Sequence, residues 1–209
     1  MILPNTGAVA QPDLFGATDL PAGLAYLADL ITANEEASLL ANIGRLPLAE
    51  ARYKQYTAKR RILSFGAQYD FSSNELHPSA PLLGFLQPLR EKVSAWRAIP
   101  AHEFAHALVT EYRPGTALGW HRDVPDFEGV VGVSLGTACR MRFRAYPPKP
   151  GRSMGGFELR LEPRSACVMQ GAARWRWQHA IPPTPALRYS ITFRTLARRI
   201  VSGSRSGHS

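Results

Sequence analysis

The sequence predicts an α+β, mainly β chain: a jelly-roll core backed by N-terminal helices. Three observations carry this. From His106 onward, short β-type runs at 106–113, 129–135, 139–145, 156–162, 166–170, 174–181 and 187–196 are separated by Gly and Pro, the spacing of a sandwich or barrel. Two stretches ahead of them carry apolar residues at helical spacing. At 209 residues, the chain is long enough for one domain with a sizeable core and an extension.

Residues 1–25 mix Pro, Gly and Asp with scattered apolar residues and read as an irregular N-terminal extension ahead of a single domain, 26–197. Thr32 followed by Glu35 is a capping-box pattern, and Leu39, Leu40 and Ile43 continue it as a helix near 33–44 that Gly44 and Pro47 end. Residues 52–71 interleave Lys54, Lys59, Arg60 and Arg61 with Tyr53, Tyr56, Phe65, Tyr69 and Phe71. Basic residues track phosphates while aromatic rings stack on bases; the rival reading is a strand near 61–66 with its aromatics in the core. Residues 72–80 are polar and turn-like. Leu82, Phe85, Leu86, Leu89, Val93 and Trp96 then mark one helical face, with Pro88 expected to kink or divide the helix. The tail 198–209 is basic, Ser/Gly-rich and expected to be flexible.

Apolar content of 45% and charged content of 20% fit a soluble globular protein. Cys139 and Cys167 have no CxxC partner, so no disulfide framework is implied and a reducing compartment fits. PAGLAYLA is too short for a signal or membrane segment, so we expect a cytoplasmic monomer without membrane contact. The net charge of +9 is uneven: residues 1–139 carry 11 Lys and Arg against 14 Asp and Glu, whereas 140–199 carry 13 against two. A basic half points to a polyanion such as nucleic acid; the rival reading is codon composition, which is able to give the same bias of 21 Arg to 4 Lys.

His102-Glu103-Phe104-Ala105-His106 matches the HExxH pattern of zinc proteases. That chemistry needs a helix, and His106 runs directly into strand-like ALVTEY. A more promising pair is His121 and Asp123, two residues apart and so on one side of a strand edge. His179 follows in WRWQHAI, where Trp175 and Trp177 are expected to share its face. Two His and one carboxylate leave coordination positions open, the pattern of non-haem Fe(II) oxygenases. Arg188 and Arg194 are six apart, on one side of one strand, and two inward arginines need anions; a dicarboxylate satisfies both.

The ordered combination of LSFGAQYDF, EYRPG before HRD, VVGVSLG, GAARWRWQHAIP and RYSITFR resembles the AlkB family of Fe(II)/2-oxoglutarate dioxygenases over residues 60–197. The resemblance implies a double-stranded β-helix with Fe(II) held by His121, Asp123 and His179, and with 2-oxoglutarate and O2 as cosubstrates. It places Tyr112 on 2-oxoglutarate, Arg188 on its distal carboxylate and Arg194 beside the carboxylate that chelates iron. It implies oxidative removal of N-alkyl groups from nucleobases in alkylated DNA or RNA with release of formaldehyde, as in alkylation-damage repair. Residues 52–80 fall where the family has a nucleotide-recognition lid, which nominates Tyr69, Phe71, Arg60 and Arg61 as substrate contacts, with Tyr56 behind them. Three positions depart from the family pattern: Thr110 and Ser190 replace asparagines, and Pro125 replaces an acid that contacts the base. The resemblance leaves RNA, a tRNA base or a protein side chain open as substrate, and a non-catalytic nucleic-acid-binding domain as the rival from another class.

Overall fold

The computed structural model describes residues 20–53, 56–70, 73, 75–147 and 155–197. In chain order the elements are β1 (Leu24–Leu27), α1 (Ala33–Ile43), β2 (Ala49–Tyr53), β3 (Tyr56–Phe65), β4 (Ala67–Asp70), β5 (Glu75–Pro78), α2 (Gln87–Arg97), β6 (His106–Tyr112), β7 (Leu118–His121), β8 (Phe127–Gly136), β9 (Cys139–Ala145), β10 (Gly156–Leu161), β11 (Ala166–Met169), α3 (Gly171–Trp175), β12 (Trp177–Ile181) and β13 (Arg188–Leu196). Short 3-10 turns precede α2 at Gly84–Leu86 and β6 at Ala101–Glu103. Among the described residues, no helix is long and apolar enough to cross a membrane.

Seven strands form one antiparallel sheet in the order β1-β11-β8-β13-β6-β3-β2, four form a second in the order β10-β9-β12-β7, and β4 and β5 make a hairpin. The two larger sheets face each other as the jelly roll expected from sequence. Strand alternation sorts the large sheet's side chains into two layers. On β13, Ile191 and Phe193 pack toward the helices, while Arg188, Ser190, Thr192 and Arg194 line the cavity between the sheets. β6 and β8 obey the same parity: Ala107, Val109, Val131, Val133 and Leu135 join the helix-side core, whereas Leu108, Thr110, Tyr112, Val130 and Gly132 line the cavity. The core against α1 and α2 includes Leu39, Ile43, Leu86, Leu89 and Val93. A second core between the sheets gathers Met141, Phe143, Leu161, Cys167 and Met169.

Several expectations are corrected. β1 pairs with β11, so the expected boundary at residue 26 falls inside a strand; residues 1–19 lie outside the described part. α2 starts at Gln87 with Pro88 in its first turn, where the missing N–H is no loss, so Pro88 divides the run into the 3-10 turn Gly84–Leu86 and α2, as one of the two expectations had it, and kinks neither. Residues 75–78, within the stretch expected to be turn-like, pair with β4 as β5. The run 174–181 divides into the end of α3 and β12, so Trp175 sits on a helix and only Trp177 shares the strand with His179. Residues 56–65 of the expected lid are a strand of the large sheet, with Arg61–Phe65 paired to β6. Phe65 is buried against the helices, and Gly66 has φ +77° with Ala105 O only 2.1 Å from where a Cβ would stand. The Phe-Gly pair therefore turns the chain between β3 and β4 instead of touching a nucleotide. Lys54, Phe71 and the tail 198–209 lie outside the described residues.

Candidate active site

β7 and β12 are neighbours in the small sheet, and their register sets His121 directly opposite His179. The imidazole centroids lie 4.2 Å apart. Asp123, two residues beyond the end of β7, brings Oδ2 within 3.8 Å of His179 Nε2. One ligand atom from each of the three lies within 4.8 Å of the others. His121 Nδ1 is 2.8 Å from Gly119 O, so that nitrogen carries the proton and donates, leaving the Nε2 lone pair for a metal.

Electrostatics suit the same purpose. Burial lowers the pKa of both histidines, His179 to about 3, which keeps their lone pairs available. Burial by itself would raise the Asp123 carboxyl, but Arg194, then His179 and His121, hold it well below the usual carboxylate range. Arg194 donates from Nε and Nη2 to Asp123 Oδ1, at 3.1 and 2.9 Å. This clamp occupies one carboxylate oxygen and leaves Oδ2 toward the histidines. Arg194 Nη1 lies 3.1 Å from His106 Nδ1, an acceptor toward that guanidinium; burial and Arg194 lower the His106 pKa to about 3. His106 thus supports Arg194 and stands on a strand, and His102 lies in the preceding 3-10 turn, so HExxH lacks its helix.

The cavity between the sheets has a volume of about 100 Å³ and is lined by all three candidate ligands together with Arg60, Tyr112, Arg188 and Arg194. Arg188 is 2% exposed. Its Nε and Nη2 donate to Ser134 Oγ, at 3.2 and 3.1 Å. Its Nη1 is buried and has no hydrogen-bond partner among the described residues. The guanidinium carbon lies 5.0 Å from the Tyr112 ring centroid. A buried cation with an orphaned donor on a cavity wall fits an anionic ligand. Gly132 on the same wall has open space where a side chain would project. Thr110 and Ser190 are cross-strand partners on this wall, so hydroxyls stand where the family pattern has amides.

Not every expected contact converges. Arg60 lines the cavity, and burial lowers its pKa. Arg61, the next residue, necessarily points to the other face of β3, where it pairs with Glu111 at 3.0 Å and donates to Leu48 O. It is a structural ion pair, not a cavity residue. Tyr69 is on the β4–β5 hairpin and does not line the cavity. Pro125 and Asp126 form the turn that leads into β8. Two residues inside the matching motifs have roles that their sequence context does not announce. Ser134 receives Arg188, and the buried Arg174 donates from Nη2 to the carbonyls of Asp123, Val124 and Phe127 at 2.9, 2.6 and 3.1 Å. Arg174 therefore fixes the loop that carries Asp123. The WRW pattern around it favours a strand reading and hides this.

Comparison with known proteins agrees with the geometry. The model of the 2OG-Fe(II) oxygenase superfamily matches residues 23–194. The chain is 29% identical over 181 residues to mouse tRNA (carboxymethyluridine(34)-5-O)-methyltransferase ALKBH8, which covers 83% of this chain and 26% of that protein. It is 29% identical over 181 residues to the Arabidopsis thaliana alkylated DNA repair protein ALKBH8 homolog, covering 77% of this chain and 51% of that one. The chain thus spans about a quarter to a half of the length of these relatives. The solved structure of OsALKBH1 superposes with a TM-score of 0.61 at 15% identity, over 86% of this chain and 99% of that one. A Pseudomonas putida prolyl-4-hydroxylase gives 0.59 at 14% identity, over 84% and 93%. With a matched family model, a His-Asp-His cluster and an oxoacid-ready arginine in one cavity, the chain belongs to the 2OG-Fe(II) oxygenase superfamily, whose enzymes use Fe(II), 2-oxoglutarate and O2.

Proposed function

We propose that this dioxygenase removes N-linked alkyl groups from nucleobases, with alkylated DNA as the first candidate substrate. The observation that supports this reading best is Arg60, a cation in the wall of the same cavity as the iron ligands, on a strand reached through a basic, aromatic stretch. It suits a substrate that brings phosphate charge to the cavity mouth. A second reading, oxidation of a modified tRNA base, takes its substrate class alone from the tRNA in the name of the mouse relative.

When bound, iron, 2-oxoglutarate and O2 together supply oxidation of a C–H bond, with decarboxylation of the oxoacid to succinate and CO2. The chain supplies position. His121, Asp123 and His179 hold the metal, and Arg194 keeps Asp123 ionised and aimed. Arg188, backed by Ser134 and the Tyr112 ring, would pair with a carboxylate of the oxoacid. Leu118, Met141, Met169 and Ile181 line the cavity with apolar surface that excludes water. Hydroxylation of an N-methyl carbon gives a hemiaminal, whose C–N bond breaks to release formaldehyde and the bare base.

The test is mass spectrometry of a mixed pool of methylated DNA and RNA oligonucleotides after reaction. The expected product lacks one CH2 and appears only with Fe(II) and 2-oxoglutarate, alongside formaldehyde and succinate. It is absent with His121→Ala. A gain of oxygen on a peptide, with every oligonucleotide unchanged, overturns the reading.

A further inference from the structure

The small sheet has two chemically different faces. Its inner face carries His121 on β7, Met141 and Phe143 on β9, and His179 on β12, all at one parity. Its outer face carries the alternate positions: Trp120, Gln178, Arg140, Arg142, Arg144, Glu158 and Arg160. Arg140 and Arg142 share one carboxylate, Glu158, at 3.5 and 2.7 Å, so the arginines outnumber the acid on this face. Arg160 is paired with Glu162.

Two exposed aromatic rings sit among these charges, each against a guanidinium. Trp120 is 39% exposed, and the Arg144 guanidinium carbon lies 4.5 Å from its ring centroid while Arg144 Nε donates to Gln178 at 2.8 Å. Tyr146, at the end of β9, is 37% exposed, and the Arg122 guanidinium carbon lies 3.8 Å from its ring. Arg122 is further fixed by donating to Trp175 O at 3.1 Å. Among the residues whose exposure is described, the other exposed large apolar side chains are all leucines. Trp120 and Arg122 also flank the iron ligand His121 in sequence, so the patch begins at the metal end of β7 and continues across β9. Water alone satisfies an arginine-rich strand face, but it gives no reason for two exposed rings to be held in place by arginines.

We propose that this outer face docks single-stranded nucleic acid flanking the reacting nucleotide. Unpaired bases stack on the Trp120–Arg144 and Tyr146–Arg122 pairs, and Arg140 and Arg142 meet phosphates. A duplex keeps its bases stacked on each other and offers them to neither ring. The inference rests on the nucleobase reading above and adds the strand state and the surface.

The experiment is fluorescence anisotropy with a labelled single-stranded oligonucleotide and its duplex, at several salt concentrations, on Trp120→Ala, Trp120→Phe, Arg142→Ala and, as a comparison, Arg45→Ala just beyond α1. Trp120→Ala is expected to weaken single-strand binding by about fivefold or more with the salt slope unchanged, and Trp120→Phe to recover most of the loss. Arg142→Ala is expected to flatten the log–log salt slope by about 0.7, and Arg45→Ala to leave it alone. Thermal midpoints establish that each variant is folded. If folded Trp120→Ala and Arg142→Ala bind like Arg45→Ala while oligonucleotides are still turned over, this surface is overturned and the nucleobase reading stands. Tighter binding to the duplex also overturns it. Absence of any oligonucleotide binding or turnover overturns both.

Discussion

At Arg188, two guanidinium nitrogens engage Ser134 and the third is buried without a partner among the described residues, so the residue is held ready for a ligand it does not supply itself. Lysine keeps the charge but loses the fork. Arg188→Lys is expected to raise the apparent 2-oxoglutarate KM by about tenfold or more, the scale of one hydrogen bond to a charged group. Titration of 2-oxoglutarate with succinate detection checks this against Arg45→Lys, where no change is expected. This residue was legible in sequence because an even separation from Arg194 fixes one strand face for both; His121 and Asp123 were found by the same spacing, although β7 ends at His121 and Asp123 is placed by the loop that Arg174 holds. The same parity argues against Arg61 beside Arg60, yet a basic cluster obscures it. Arg174 was not legible as a loop clamp. Its partners are three backbone carbonyls about 50 residues away, and no side-chain pattern announces them.

Among the elements, α1 shows how local sequence and long-range contact combine. Thr32 Oγ1 accepts from Glu35 N while the Glu35 carboxylate accepts from Thr32 N, and Lys92 on α2 lies 2.7 Å from the same carboxylate. The Lys92 hydrogen bond, then those of Thr32, lower the Glu35 pKa from 4.5 to about 2. A folded-state pKa below the unfolded one stabilises above the unfolded value, and that contribution disappears as pH falls through the folded value. Glu35→Gln is therefore expected to lower Tm at pH 7 and to converge with the parent between about pH 4.5 and pH 2. The pair is exposed, so the difference is at most about 1 kcal/mol, or about 2–4 °C. Thermal melts by circular dichroism at stepped pH check it. Both long helices and most strands from β6 onward could be read from periodicity. β1 and β2 were missed because their short runs carry no clear alternation, and β7 was sensed only as the strand edge that bears His121. β7 exposes its Trp120 on one face and carries His121 on the other, so a search for alternating apolar residues passes over it.

For the molecule as a whole, the distribution of charge and the order of strands were legible to different degrees. The basic 140–199 segment was visible at once, and the structure spreads part of it over one outer sheet face. Strand order was not, since pairing partners such as β13 and β6 lie about 80 residues apart. β13 is the last described strand in sequence but sits inside the large sheet, between β8 and β6. A chain ending at residue 186 is expected to leave two unpaired strand edges in place of that strand, and so to collect in the insoluble fraction on expression; fractionation against the full chain checks this. The same placement has a consequence for biosynthesis. On the ribosome, His121, Asp123 and His179 emerge before Arg188 and Arg194. A nascent chain therefore carries its three metal ligands before it has either arginine for the oxoacid and the clamp on Asp123. Competence for oxygenation is expected to arrive with the strand that also joins the two halves of the large sheet, so an incompletely synthesised chain is not expected to become a working oxygenase.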